Sequence, residues 1–227
     1  MLYVFSILTA PAPEQEIIGI NQPIAYIQVD NLVAAYEPEL DIEMLKQSGE
    51  AELIAAIVQH DRVICELFTQ QTLLPLRFGT AFVSEAALKE YLQANQAKLS
   101  DRLNQISGYG EYLLKGQVAQ PEIKPDPNLK GRDYLLAKKQ QYADLQQAQQ
   151  DQKQQQAQLV ELLRSHTDQN HIQIATPQEA EDLRIFLLLT SAQAEQLNQV
   201  IAQWQGDYRS WRLELGSLLP PYHFAEI

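Results

Sequence analysis

Leu73-Leu74-Pro75-Leu76-Arg77-Phe78-Gly79-Thr80-Ala81-Phe82 is the densest apolar run in the first half of the chain. Pro75 removes a backbone donor, which assigns the run to an edge strand, a strand start or a bulge rather than the middle of a central strand. Gly79 lies two residues beyond the run's only charge, Arg77, at a place where a side chain would resist the backbone conformation. Helical patterns flank the run, from Glu50 to Gln70 and from Ser84 to Leu103. The stretch therefore reads as a short buried strand that carries one arginine and ends in a Gly-Thr turn between two helices. A buried guanidinium needs a partner, since an unpaired buried charge is very costly. Asp61 or Glu66 of the preceding helix would supply it; a contact to a partner protein is the alternative.

Outward from this run, Leu2–Leu8 reads as a first strand and Pro11–Gly19 as a loop. Ile24–Val29 and Leu32–Tyr36 read as two strands joined by Asp30-Asn31, the length and roughly the chemistry of a two-residue hairpin turn. Asp41–Gly49 is a polar connection with about one helical turn. Leu53, Ile54, Ile57, Val58, Ile64, Leu67 and Phe68 recur at three- and four-residue spacings, the pattern of an amphipathic helix. Ser84 caps the helix after the run, and its apolar face (Leu88, Leu92, Leu99, Leu103, Ile106) continues to Gly108. Residues 1–107 thus form an α+β domain, a small mainly antiparallel sheet with helices on one side.

Gly108-Tyr109-Gly110 marks a boundary. Beyond it come a strand (Glu111–Val118), a proline-rich loop, a helix from Leu129 to about Ser165, and strands at His171–Ala175 and Leu183–Thr190. A helix capped by Ser191 and an alternating strand, Tyr208–Leu215, complete the series. Strand–helix–strand–strand–helix–strand is the ferredoxin-like order, expected here for residues 108–215. The first of these helices is unusual, because 11 of the 22 residues from Ala137 to Gln158 are glutamine. Between Leu145 and Leu159 the only apolar side chains are Ala148 and Ala157. With no apolar stripe to bury in that stretch, the helix projects into solvent, breaks into a helical hairpin, or is a glutamine-rich loop. Residues 216–227 hold Leu218, Leu219, Pro220, Pro221, Tyr222 and Phe224. They read as an extended apolar tail packed on the body, with an exposed docking peptide as the alternative.

Leu74-Pro75-Leu76-Arg77-Phe78-Gly79-Thr80 resembles the signature of the gas vesicle protein F/L family. The first strand Leu2-Tyr3-Val4-Phe5, the helix segment His60-Asp61-Arg62-Val63-Ile64 and the tail Pro220-Pro221-Tyr222-His223-Phe224 are similar to that family in the same order. The resemblance implies a ferredoxin-like second domain. It also implies a non-enzymatic role in forming gas-filled protein shells, located at the gas vesicle, a cytoplasmic organelle. The implied partners are the small hydrophobic main shell protein and other gas vesicle accessory proteins. The motif residues Leu74 to Thr80, with Pro220, Pro221 and Tyr222, are then structural or partner-contacting positions. A ferredoxin-like enzyme or small-ligand-binding regulatory module is the competing reading, since fold does not dictate function.

The formal charge of −12 argues against nucleic acid, whose phosphates call for clustered Lys and Arg. Residues 1–107 hold 6 basic and 14 acidic side chains, residues 108–227 hold 11 and 15. No window approaches the roughly 18 apolar residues of a membrane span. The start of the chain lacks the basic opening of a signal peptide, so Met1–Ala10 reads as part of a cytoplasmic fold with no lipid-membrane partner. One cysteine, Cys65, precludes an internal disulfide or a cysteine metal cluster.

No phosphate-binding loop, serine elbow or metal-ligand pair is visible, so no catalytic, cofactor or metal residue is assigned. His166 and His171 flank Asp168, a weak metal pattern that reads as a polar loop. His60 and Cys65 are about 140° apart around their helix, a poor base and nucleophile, and Cys65 reads as a small core residue. His60-Asp61 reads as a solvated or interfacial pair, and His60 as a side chain dispensable for function.

Overall fold

The computed structural model describes residues 1–47, 49–118, 131–175 and 182–225. The chain is α+β with two antiparallel sheets. It divides into two compact units, Met1–Glu111 with Leu218–Ile227, and Tyr112–Ser217.

Strand β1 (Leu2–Thr9) is the centre of the first unit. Its sequence shows no polar alternation, and every residue from Tyr3 to Leu8 is buried, as in a strand covered on both faces. Strands β2 (Ala25–Val29) and β3 (Leu32–Pro38) form a hairpin across Asp30-Asn31, and β3 pairs with β1. The sheet order is β2-β3-β1-β4. After a short helix α1 (Ile42–Gln47), helix α2 (Glu50–Phe68) packs Val63, Ile64 and Leu67 with Tyr3, Phe5, Leu8, Val33 and Ala35. Helices α3 (Glu85–Ala94) and α4 (Gln96–Ile106) lie against β2, β1 and β4 and bury Leu88, Leu92, Leu99, Leu103 and Ile106 outside that cluster. Helices thus cover both faces of the sheet, not one; the unbroken apolar run of β1 demands it. Ser84 caps α3, accepting from the Ala87 amide at 3.2 Å. The single helix expected through Ile106 breaks at Asn95, which leaves the helical region at φ −108°, ψ 10°.

The motif run is not one strand. It supplies β4 (Leu73–Pro75) and β5 (Ala81–Phe82), both paired with β1. Between them lies a tight turn in which the Thr80 amide and hydroxyl both donate to the Arg77 carbonyl, at 3.1 and 2.7 Å. Gly79 makes the turn possible at φ +92°, a conformation that side chains resist. β1 answers with a bulge, its register to β3 shifting between Val4 and Ser6.

A buried carboxylate ties the loop before β2 to this sheet. Glu37, fully buried in β3, accepts from the amides of Ile20, Asn21 and Gln22 at 2.6, 2.8 and 3.1 Å. Arg62 of α2 donates to the Ile18 carbonyl in the same loop.

The second unit takes most of β6 (Gly110–Val118), then α5 (Gly131–His166), β7 (Ile172–Ile174), β8 (Asp182–Leu189), α6 (Ser191–Trp204) and β9 (Trp211–Leu215). Its sheet order is β7-β8-β6-β9. Leu114, Leu159, Leu163, Ile185, Leu187, Leu197, Ile201 and Trp211 share its core. Thr190, not Ser191, caps α6. Its hydroxyl accepts from the Gln193 amide while the Gln193 side chain accepts from the Thr190 amide, a reciprocal cap. Helix α5 is continuous over 36 residues, about 54 Å at 1.5 Å per residue. It joins the unit through its second half: Leu159 and Leu163 are buried, the Trp211 indole donates to the Gln152 carbonyl at 3.3 Å, and Gln155 accepts from the Ser210 amide at 3.3 Å.

Candidate functional site

The polar chemistry of the first unit gathers where β1, α2, the motif turn and the C-terminal tail meet. His60 on α2 lies there, buried rather than solvated. Its Nε2 faces the Leu76 carbonyl at 3.0 Å and its Nδ1 faces the Tyr3 hydroxyl at 2.8 Å. A carbonyl only accepts, so Nε2 carries the proton, Nδ1 accepts, and the Tyr3 hydroxyl donates. That hydroxyl in turn accepts from the Gly79 amide at 3.3 Å. Phe5 stacks on the imidazole at 5.5 Å, and Phe78 and Tyr3 meet it edge-on at 5.6 Å each.

This apolar casing depresses the His60 pKa, chiefly by burial, with the Leu76 carbonyl opposing. Burial likewise pushes the Tyr3 hydroxyl far above its ordinary range, and the Gly79 amide opposes it. The chain of bonds starts and ends on peptide groups of the motif turn. Both imidazole nitrogens are committed, which makes His60 a fastener of the turn and leaves neither nitrogen open to a substrate.

Next to His60 on α2, Asp61 accepts from the Tyr222 hydroxyl. Burial first, then the Asp61 carboxylate, raise the Tyr222 pKa far above normal. Cys65, 3.9 Å from Asp61, is raised too, mainly by burial. The tail has a second fastening at Glu111, which is 1% exposed. Its backbone exchanges both bonds with Leu219 at 2.9 Å, and its carboxylate accepts from the His223 amide at 2.7 Å and pairs with His223 Nδ1 at 2.8 Å. Pro220, Pro221 and Phe224 are buried.

The motif positions thus have distinct places. Leu74 is fully buried and Pro75 lies opposite Ser6. The Leu76 amide donates to Phe5 at 2.9 Å, Phe78 borders His60, and the Thr80 carbonyl accepts from Val4 at 2.9 Å. Arg77, the first residue of the turn, is exposed, which overturns its reading as a buried charge. The split of the strand at Leu76 turns its side chain outward. The contacts of Tyr3, Glu37, Glu111 and His223 were not legible in the sequence, because their partners are 15 to 112 residues distant.

His166 bonds the Leu162 carbonyl at 2.8 Å, and Asp168 accepts from the Asn170 amide at 2.8 Å, both local contacts. Among the described residues no group of three or more His, Cys, Asp or Glu is placed to hold a metal ion, and no helix is long and apolar enough to cross a membrane.

The family model described as "Gas vesicle synthesis protein GvpL/GvpF" matches residues 1–226. The chain belongs to that family. No curated protein shows significant sequence similarity to it. Its fold is similar to the crystal structure of gas vesicle protein GvpF from Microcystis aeruginosa, with a TM-score of 0.70 at 19% identity, covering 100% of this chain and 99% of that one. The GvpF structure from Anabaena sp. PCC7120 gives a TM-score of 0.66 at 19% identity, with coverage of 100% and 96%. The motif turn and the tail fastened beside it both lie within the matched residues.

Proposed function

We propose that the chain is a non-enzymatic assembly or minor structural protein of gas vesicles, associating with the small hydrophobic main shell protein while the vesicle forms. The family match over residues 1–226 carries this reading. The geometry of the motif supports it: His60, Tyr3 and Gly79 are spent on holding a turn that begins at the exposed Arg77. In this reading the buried motif residues and Pro220, Pro221 and Tyr222 shape the surface, and Arg77 is a contact to a gas vesicle partner. The protein acts at the gas vesicle within the cytoplasm, beside other accessory proteins, without a cofactor.

The architecture we assign is two domains and a tail. The second domain is ferredoxin-like, a reading supported by its strand–helix–strand–strand–helix–strand succession and the sheet order β7-β8-β6-β9. Copurification tests the function. A tagged chain drawn from vesicle-forming cells brings down the main shell protein, and Arg77→Ala reduces that recovery. Recovery of accessory proteins without the shell protein would refute the shell contact.

A further inference from the structure

Two helix faces of this chain are apolar, exposed and opposite in the charge they carry. On α2, Glu50, Ile54, Ile57, Val58 and Asp61 fall within about 100° of azimuth at 100° per residue. Ile54, Ile57 and Val58 are 43% to 58% exposed. A carboxylate closes the patch at each end, and no Lys or Arg occurs between Lys46 and Arg62.

On α5, Tyr134, Leu135, Lys138, Tyr142 and Leu145 share an arc of the same width, about 100°. Its four apolar members are 38% to 65% exposed. Lys138 stands at the middle of the stripe, 6.0 Å over the Tyr134 ring. By the same helical arithmetic Arg132 and Lys139 run along one border, and Asp133 and Asp144 lie on the far side.

We propose that the α5 stripe of one copy docks on the α2 patch of a second copy. Charge complementarity selects this pairing. Two α2 patches face to face would oppose carboxylates, and two α5 stripes would oppose lysines, whereas α5 on α2 places Lys138 between apolar neighbours and near Glu50 or Asp61. The lengths agree, since Glu50–Asp61 and Tyr134–Leu145 each span about three helical turns. Such a contact is heterologous: each copy keeps one free α2 patch and one free α5 stripe, so copies join head to tail into a ring or an open row. Patches of this size make an interface below the roughly 1,200 Å² of a standard complex, so each contact is weak and association shows only at high concentration.

Sedimentation velocity on the full chain tests this. The wild-type mass should rise above 25.8 kDa with concentration, up to about 1 mM, and fall back when salt is raised. Ile54→Glu and Leu135→Glu, each at an exposed position, should each remain monomeric. Mixed one to one, they should form a dimer and stop there, because one variant retains the α5 stripe and the other the α2 patch. Lys138→Glu should weaken association, and adding Glu50→Lys to the same chain should restore it. A wild-type mass constant at the monomer value would overturn the proposal. So would a dimer that persists in either single variant, or a mixture that fails to associate.

Discussion

Replacing His60 by alanine probes the fastening of the motif turn. The substitution removes a ring packed by Phe5, Phe78 and Tyr3, and strips the Tyr3 hydroxyl and the Leu76 carbonyl of their partner. A large-to-small core change of this kind costs about 2–4 kcal/mol, and each orphaned buried polar group adds ~1–3 kcal/mol. Partial collapse offsets some of that, leaving about 4 kcal/mol, a large share of the ~5–15 kcal/mol typical of a domain. With a urea slope of ~1–2 kcal/mol/M, the midpoint of the first unit falls by roughly 2–4 M. Both tryptophans, Trp204 and Trp211, lie in the second unit, so their fluorescence serves as the internal control. Amide exchange in β1 reports the first.

His60→Gln, whose amide can donate to Leu76 and accept from Tyr3, should recover part of the loss. It should also remove a pH dependence. Because burial holds the folded pKa of His60 down, the unfolded chain takes up a proton near pH ~6.5 that the folded chain refuses. The stability tied to this group is complete above that pH and declines as pH falls below it toward the folded value. A β1 exchange profile of His60→Ala matching wild type to within about 0.5 kcal/mol would refute the fastening argument.

Three further outcomes follow from particular contacts. Gly19→Ala would place its Cβ 2.2 Å from Glu37 Oε2, so it should destabilise the first unit by more than about 2 kcal/mol, read as a lowered urea midpoint. Arg77→Ala, at an exposed position, should leave the midpoint within about 0.5 kcal/mol of wild type, and a large shift would show that the guanidinium braces the fold. Phe224→Ala deletes a ring that is 1% exposed; it should cost about 3–5 kcal/mol, and limited proteolysis should then cut the tail far faster than in wild type.

The chain's local order was largely written in its residues. The turn at Asp30-Asn31 and the cap at Ser84 need only near neighbours. The apolar spacing of α2 marked a helix but not its buried face: Val63, Ile64 and Leu67 are buried, whereas Ile54, Ile57 and Val58, read as part of the same apolar face, are exposed. The motif from Leu74 to Thr80 and the apolar tail were likewise legible, the first by resemblance and the second by composition. Tertiary structure alone decided which side chains those elements would meet. His60 and Asp61 are adjacent, yet one is sealed against Phe5 and the other is exposed and meets the tail through Tyr222. Arg77 sits among apolar neighbours in sequence, yet it points outward, because the bulge in β1 and the positive φ of Gly79 split the expected strand in two. Glu111 and His223, 112 residues apart, found each other only when the tail returned to the first unit. Periodicity states which face a side chain is on, and only the packed chain states what that face meets.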